Sequence, residues 1–458
     1  MKHSIKSMTA LLLLLLLCFT SCEDFVEVDT PNYLLSGETI FSDSKTVEAA
    51  MVNIYAQLRN NVLLTGDTQG LSNLLGQYTD ELDYYSSNSL PEEAFYNNAL
   101  LASNPTIEEL WNGSYNQIYA ANAILEGVGG SSFFTPEEKG LFIGEAKFIR
   151  GLIHFYLMQL YGEIPYITNT DYNENKTVKR EPLESLYIKI STDLKEAINL
   201  LPETDPSGEH VRPDKRTAKA LLARMYLYAK NWTEAEQWAS DVIGSSQWET
   251  AVENVFLKES PSTLWQFQPG FEGTNTLEAR TFIFETTPPP ARAVTTGLID
   301  AFETDDARKI NWLREVTDGT HTWYHPHKYK QQAGDGSNVE YSIVMRLAEQ
   351  YLIRAEARAN LGNAIGAQDD INKIRQRAGL NATTASTTAE LLEAILNERR
   401  VEFFTEHGHR FFDLKRTTML NTTLESVKPG WENTDRVFPI PEKELLVNPN
   451  LLPQNPGY

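Results

Sequence analysis

Between residues 217 and 243, small and apolar residues recur at three- and four-residue steps on either side of a polar break. Ala218, Leu221, Leu222, Met225 and Tyr226 mark one helical face, and Ala235, Ala239, Val242 and Ile243 mark a second. Asn231 and Trp232 stand at the turn between them. Alanines on both stripes let two helices approach closely. Such a pair cannot bury its apolar stripe alone, so it has to stack on neighbours of its own kind. That requirement predicts a mostly α chain, a scaffold of stacked helix pairs with little β structure.

Leu222, Ala223, Tyr226, Trp232 and Ala235 fall at the spacing of a tetratricopeptide repeat. A second unit spans residues 345–379, where Leu347, Ala348, Tyr351, Leu352 and Ala355 form one face, and Ala367, Ile371 and Ile374 the other. Gly362-Asn363 breaks it and Gly379 caps it. Two fainter pairs join residues 106–127 to 135–161, and residues 182–200 to the helix that starts near Thr217. The helix from residue 135 opens with Thr135-Pro136-Glu137-Glu138, which supplies a cap, a proline at the first helical position and a glutamate three residues on. Repeats are therefore expected near 106–161, 182–243 and 345–379. Stretches near 78–100 and 265–338, and a tail over 429–458, lack helical period. Loops of that length in a compact protein tend to carry function.

Charge limits the partners. Against 62 acidic residues stand 40 Lys and Arg, a net charge of −22. Nucleic-acid binding rests on phosphate neutralisation by basic residues, so this body repels a polyanion on average. Neutral partners fit better. The only cysteines, Cys18 and Cys22, sit at the far N-terminus, which excludes a disulfide framework or thiolate metal cage in the body.

Lys2, His3 and Lys6 precede a leucine run over residues 11–17, and Phe19-Thr20-Ser21 leads into Cys22. A basic start, a short apolar run and small residues before a cut describe a secretory signal. The run is too short to span a bilayer, which takes about 20 residues. The residues around Cys22 resemble a bacterial lipobox, with Phe19 where leucine is usual. This reading makes residues 1–21 a signal peptide, Cys22 the lipidation site, residues 22–36 a lipidated tether and residues 37–458 a single domain. Acyl chains stabilise membrane attachment by about 0.8 kcal/mol per buried CH₂. Glu23 and Asp24 resemble the acidic export signal of surface-exposed lipoproteins.

An ordered set of segments then resembles one family, the SusD/RagB nutrient-uptake lipoproteins. Glu145-Ala-Lys-Phe-Ile-Arg150 leads to Leu160-Tyr-Gly-Glu-Ile-Pro165, and Arg346-Leu-Ala-Glu349 to Tyr351-Leu-Ile-Arg-Ala-Glu356. Ile371-Asn-Lys-Ile-Arg-Gln-Arg-Ala-Gly379, Glu398-Arg-Arg400, Phe403, Gly408-His-Arg410 and Asp413-Leu-Lys-Arg416 follow. The chain ends with Phe438-Pro-Ile-Pro-Glu442, Asn448-Pro449 and Gln454-Asn-Pro-Gly-Tyr458. The resemblance implies a tetratricopeptide scaffold and a lipoprotein on the outer face of the outer membrane. It implies capture of oligo- or polysaccharide, without catalysis, for a SusC-like TonB-dependent transporter. Some relatives take peptides, so that cargo stays open. The charged motifs read as structural, with Glu145 expected to pair Arg150, and Glu398 to pair Arg399, Arg400 and Arg410.

Sugar presents apolar C–H faces and a rim of hydroxyls, which suit aromatic rings and Asp, Asn or Arg side chains respectively. Thr79-Asp-Glu-Leu-Asp-Tyr-Tyr-Ser-Ser-Asn88 resembles the family stretch leading into its sugar-binding loop, and places Tyr84 and Tyr85 among polar residues. Trp312, Trp323 and Tyr324 lie in the second region where the family contributes binding aromatics. Asp80, Asp83, Asn88 and Arg314 are the candidate hydroxyl partners. Trp111, Trp232 and Trp238 sit on helical faces and are assigned to packing.

Two other chemistries have candidate residues in the chain. Asp80, Glu81 and Asp83 could supply the paired carboxylates of a glycosidase, but no catalytic signature accompanies them. His321, His325 and His327 cluster, yet in an irregular segment without a companion cysteine, where hydrogen bonding is the plainer role; His407 and His409 flank Gly408 in the same way. Nothing in the sequence points to a cofactor or a metal.

Overall fold

The computed structural model describes residues 41–271, 273–332 and 338–458. The expected signal peptide, Cys22 and the expected tether lie outside the described residues. Helix α1 (Ser44–Asn60) and the buried α2 (Leu71–Tyr78) precede a three-residue strand, β1 (Leu82–Tyr84). The helical scaffold then begins with α3 (Pro105–Gly130) and α4 (Pro136–Tyr161). Asn104 caps α3 by accepting from Thr106 and Ile107 N–H groups. Thr135 and Glu138 form the reciprocal box foreseen for α4, satisfying two of the amides every helix start leaves unpaired.

Helices α5 (Leu183–Leu200), α6 (Lys215–Tyr228) and α7 (Trp232–Gly244) continue the stack. Strands β2 (Thr263–Phe267), β3 (Arg292–Val294), β4 (Leu313–Thr317), β5 (Thr322–Pro326) and β6 (Ser342–Arg346) follow, with short helices between them. The chain returns to helix at α8 (Leu347–Asn360), α9 (Ala364–Arg377), α10 (Thr388–Glu402) and α11 (His409–Arg416). From α3 to α9 each helix packs on the next in chain order, and α10 lies across both α8 and α9. That arrangement is the stacked-pair scaffold the periodicity demands. The alanines do what their size suggests: Ala218, Ala223, Ala235, Ala239, Ala355 and Ala367 are all fully buried between helices. No described helix is long and apolar enough to cross a membrane.

The region near 265–338 is less irregular than its lack of helical period suggests. Strand β2 pairs antiparallel with β6, β1 with β3, and β4 with β5, giving three two-stranded sheets. A separate apolar cluster forms beneath them from Leu82, Val252, Phe256, Trp312, Leu313, Tyr329 and Phe404. Helices α1, α2, α10 and α11 lie outside the repeats marked in the sequence; in the eight-residue α2, Leu71, Leu74, Leu75 and Tyr78 recur at three- and four-residue steps, and the polar Ser72, Asn73 and Gln77 between them are buried as well.

The charged motifs are structural, but with other partners than expected. Glu145 accepts from Arg212 and the Tyr55 hydroxyl, not from Arg150. Arg150 instead grips Asp193 with two bonds of 2.6 Å. Glu398 pairs with Arg308 and Arg375, while Arg399 pairs with Asp413. At the centre, Glu402 meets Arg308, Arg346 and Arg377, and Glu406 meets Arg346 and Lys328. Burial alone would raise the Glu402 carboxyl, yet Arg377, Arg346 and Arg308 hold it well below the usual carboxylate range. This network ties the end of α10 to α9, β6 and the segment before β4, and so fixes the strand region against the helical stack.

Candidate functional site

Strand β1 follows directly from α2, and its register with β3 sets Leu82 opposite Val294, Asp83 opposite Ala293 and Tyr84 opposite Arg292. The pairing extends one residue further, where Tyr85 N–H donates to Ala291 C=O at 2.7 Å. Strand β3 lies beside β5 of the β4–β5 hairpin. That hairpin closes through Asp318, whose carboxylate accepts from Thr320 and His321 N–H at 2.8 and 2.7 Å. Gly319 supplies the left-handed conformation the turn needs, at φ 88°. Two loops distant in sequence are thus brought edge to edge with β3 between them.

The result is an aromatic face. Tyr85 is 39% exposed. Trp323 is half-buried, and its side chain lies near enough to the Tyr85 hydroxyl to favour that group's ionised form slightly. The exposed His321 ring stands 5.7 Å from Trp323. Burial and the nearby Asp83 carboxylate both raise the Tyr85 hydroxyl pKa, so it stays a neutral donor and acceptor. Cross-strand partners share a face, and faces alternate along a strand. Val316 pairs with Trp323 and Arg314 with His325, so the exposed Arg314 shares the face of Trp323.

Tyr84 points the other way along its strand. Its ring stacks on Tyr96 at 5.9 Å, and its hydroxyl is occupied, donating to Asn88 C=O and accepting from Leu90 N–H at 3.1 Å. It anchors the loop while keeping one half-buried ring at the rim. Asn88 lies exposed at the loop tip. Asp83 is half-buried near the Tyr96 hydroxyl; burial raises its carboxyl, against the opposing pull of Lys428 and Tyr96. Tyr96 is a member of this group that the sequence reading passed over. It lies inside the loop near 78–100, and only its contacts with Tyr84, Asp83 and the Lys428 ammonium, 3.9 Å from its ring centre, set it apart.

Three expected residues leave the group. Trp312 is 1% exposed; its ring packs on Phe256 and its indole N–H donates to Val252 C=O at 3.1 Å. It is the floor of the apolar cluster, with Lys328 and Arg346 over its ring. Asp80 is buried between Arg410, which forks onto both its oxygens at 2.8 Å, and Arg400, also at 2.8 Å. Burial would raise its carboxyl, but Arg410 and Arg400 hold it below the ordinary value. Tyr324 sits on the opposite face of β5 from Trp323, and its hydroxyl donates to Glu315 at 2.7 Å.

The neighbouring acids differ in their surroundings. With Asp80 held in its ion pairs, burial and the Asp80 charge push Glu81 up to about 8, and its Oε2 accepts from Thr405 N–H. Among the histidines, His325 is buried with Nδ1 against Pro326 C=O at 2.9 Å and Nε2 without a partner among the described residues, and burial with His325 alongside pushes His327 down to about 4. His407 and His409 are buried in the charged core, the latter stacked on Phe403 at 4.7 Å. Among the described residues no group of three His, Cys, Asp or Glu side chains is placed to hold a metal ion.

Residues 312–458 match the SusD family, and residues 24–227 match a family described as starch-binding and associating with the outer membrane. A SusD-like protein of Formosa agariphila is 27% identical over 97% of this chain and 98% of its own length. The starch-binding protein SusD of Bacteroides thetaiotaomicron is 26% identical over 69% of this chain and 72% of its own. Among solved structures, a SusD superfamily protein from Bacteroides vulgatus superposes with a TM-score of 0.80 at 22% identity, covering 91% of this chain and 99% of that one. A laminarin-binding SusD-like protein superposes with a TM-score of 0.75 at 23% identity, covering 90% and 99%.

Proposed function

Because the chain belongs to the SusD family, we propose that it captures glycan at the outer face of the outer membrane, fastened there through a lipid on Cys22. In this reading it hands the glycan to a SusC-like TonB-dependent transporter and performs no chemistry itself. The observation that carries the proposal is the meeting of Tyr85 and Trp323, contributed by two separate loops, on an exposed face with Arg314. A sugar ring laid on Trp323 buries its apolar C–H face, while Tyr85 and Arg314 offer hydrogen bonds to the hydroxyl rim. Tyr84, Tyr96, Asp83 and Asn88 extend the same loop edge and provide a second stretch for a longer chain.

The starch-binding name of one relative and the laminarin-binding name of one structural neighbour support a saccharide cargo over a peptide. The engagement of Asp80 in ion pairs supports the non-catalytic role, since a glycosidase needs two carboxylates free to flank the scissile bond.

Isothermal titration of the purified protein against a glycan panel and a peptide mixture tests this. Heat with a glycan, weakened about tenfold by Trp323→Ala or Tyr85→Ala, is the expected result. Heat with peptides alone transfers the scaffold to the other cargo, and shortened saccharide products would replace capture with hydrolysis. Co-purification of a TonB-dependent barrel from outer membranes tests the hand-over.

A further inference from the structure

A cleft of about 400 Å³ opens between the C-terminal end of α1 and the segment after β2, and none of the aromatic residues of the β1–β5 face lines it. Its floor holds Glu278, 4% exposed. Glu278 Oε1 accepts from the Ser342 hydroxyl, and Oε2 has no hydrogen-bond partner among the described residues. An unpaired buried oxygen of this kind is costly unless something else meets it. The carboxyl fits only because residue 66 is glycine: a Cβ there would lie 2.2 Å from it. Burial, with Glu340 and Glu406 nearby, pushes the Glu278 carboxyl up to about 7, so it can donate as well as accept.

Two guanidiniums line the same cleft without a carboxylate partner among the described residues, on a chain of net charge −22. Arg59 is fixed by its own bonds, Nε to Asn60 Oδ1 at 2.9 Å and Nη1 to Gln268 C=O at 2.7 Å. Its Nη2 lies over Gly270, where a Cβ would come within 2.9 Å, and makes no bond to the described protein. Arg280 is exposed, with no hydrogen bond or ion pair among the described residues. Phe271, 80% exposed, and Gln332 also line the cleft.

We propose that this cleft is a subsite for an acidic sugar, a hexuronate residue within a glycan. Its carboxylate meets Arg59 and Arg280, its ring face lies on Phe271 and a hydroxyl meets Glu278. The assignment rests on the glycan-capture reading and names the class of sugar. A neutral hexose would leave Arg59 Nη2 and the Arg280 guanidinium without a charged partner, whereas a carboxylate gains charge-assisted bonds from each.

The test is calorimetry on the full chain in detergent with trisaccharides of β-1,3, β-1,4 and α-1,4 linkage. Each is supplied as the hexuronate, its methyl ester and the neutral hexose. At least one hexuronate should bind about tenfold or more tightly than its own ester, the worth of one charge-assisted bond. Arg280→Ala, a surface change, should abolish that preference, and Arg280→Lys should keep part of it. Equal binding of acid and ester, or a preference that survives Arg280→Ala, overturns the subsite while leaving glycan capture standing if the neutral sugars bind. No heat from any saccharide overturns both.

Discussion

Replacing Glu402 with glutamine removes one charge from the most connected point in the fold. The side chain is fully buried, and its oxygens meet Arg346, Arg377 and Arg308, the last at 3.1 Å. The three arginines do not lose equally. Arg308 keeps Asp306 at 2.8 Å and Glu398 at 2.6 Å, and Arg346 keeps Glu406 at 2.8 Å. Arg377 has no other carboxylate among the described residues, and its Nε and Nη1 are already unpaired. Breaking a buried pair by removing one partner costs about 3–5 kcal/mol. With one guanidinium of three fully orphaned, Glu402→Gln should cost about 3 kcal/mol, the lower end of that range. In urea, at a slope near 3 kcal/mol per molar, the unfolding midpoint should fall by about 1 M. Tryptophan fluorescence reports the region directly, because Arg377 lies 4.6 Å from the Trp248 ring centre and 5.6 Å from that of Trp312. Adding Arg377→Met removes the orphaned charge and should restore more than half of the loss. Because the folded pKa of Glu402 is depressed, its contribution is complete above the unfolded carboxylate value of about 4.3 and disappears as pH falls through the folded value. A loss below about 1 kcal/mol at pH 7, or a double variant weaker than the single, would refute the reasoning.

Two further outcomes separate structural from binding acids. Asp80→Asn strands Arg400 and Arg410 and should destabilise by about 3 kcal/mol in denaturant unfolding, yet leave glycan affinity unchanged at a temperature where the variant is folded. Affinity falling in step with a Trp323→Ala control would return Asp80 to the site. Glu81, pushed up to about 8, keeps in the folded state a proton that the unfolded chain sheds near 4.3, so its contribution falls as pH rises from about 5 to 8. The melting temperature of Glu81→Gln should therefore gain on the parent across that interval, and a constant gap between the two would contradict the assignment.

The helical scaffold was legible because its signals are local. The three- and four-residue recurrence of alanine and leucine, the Thr135–Glu138 box and the caps at Asn231 and Asn363 all lie within one or two turns of the helices they specify. Ion-pair partners were not legible, since Glu145 takes Arg212 and Asp80 takes Arg410 from distant segments, and charge alone does not choose among many candidates. The aromatic face was half legible. Its two loops could be named, but Trp312 and Trp323 look alike as loop tryptophans. What parts them is that Trp312 ends a short helix packed over the apolar cluster, while Trp323 sits on a hairpin strand beside β3. Strands of three residues such as β1 and β3 carry too few side chains for a period, and their pairing is set by tertiary contact.

A crystal structure of the protein with a glycan it binds is the most direct test of capture by the loop aromatics. The expected result is a sugar ring stacked on Trp323 at about 4 Å, with its hydroxyls bonded to Tyr85 and Arg314 and the saccharide intact. A glycan seated away from both loops, or cleaved in the crystal, would contradict the account.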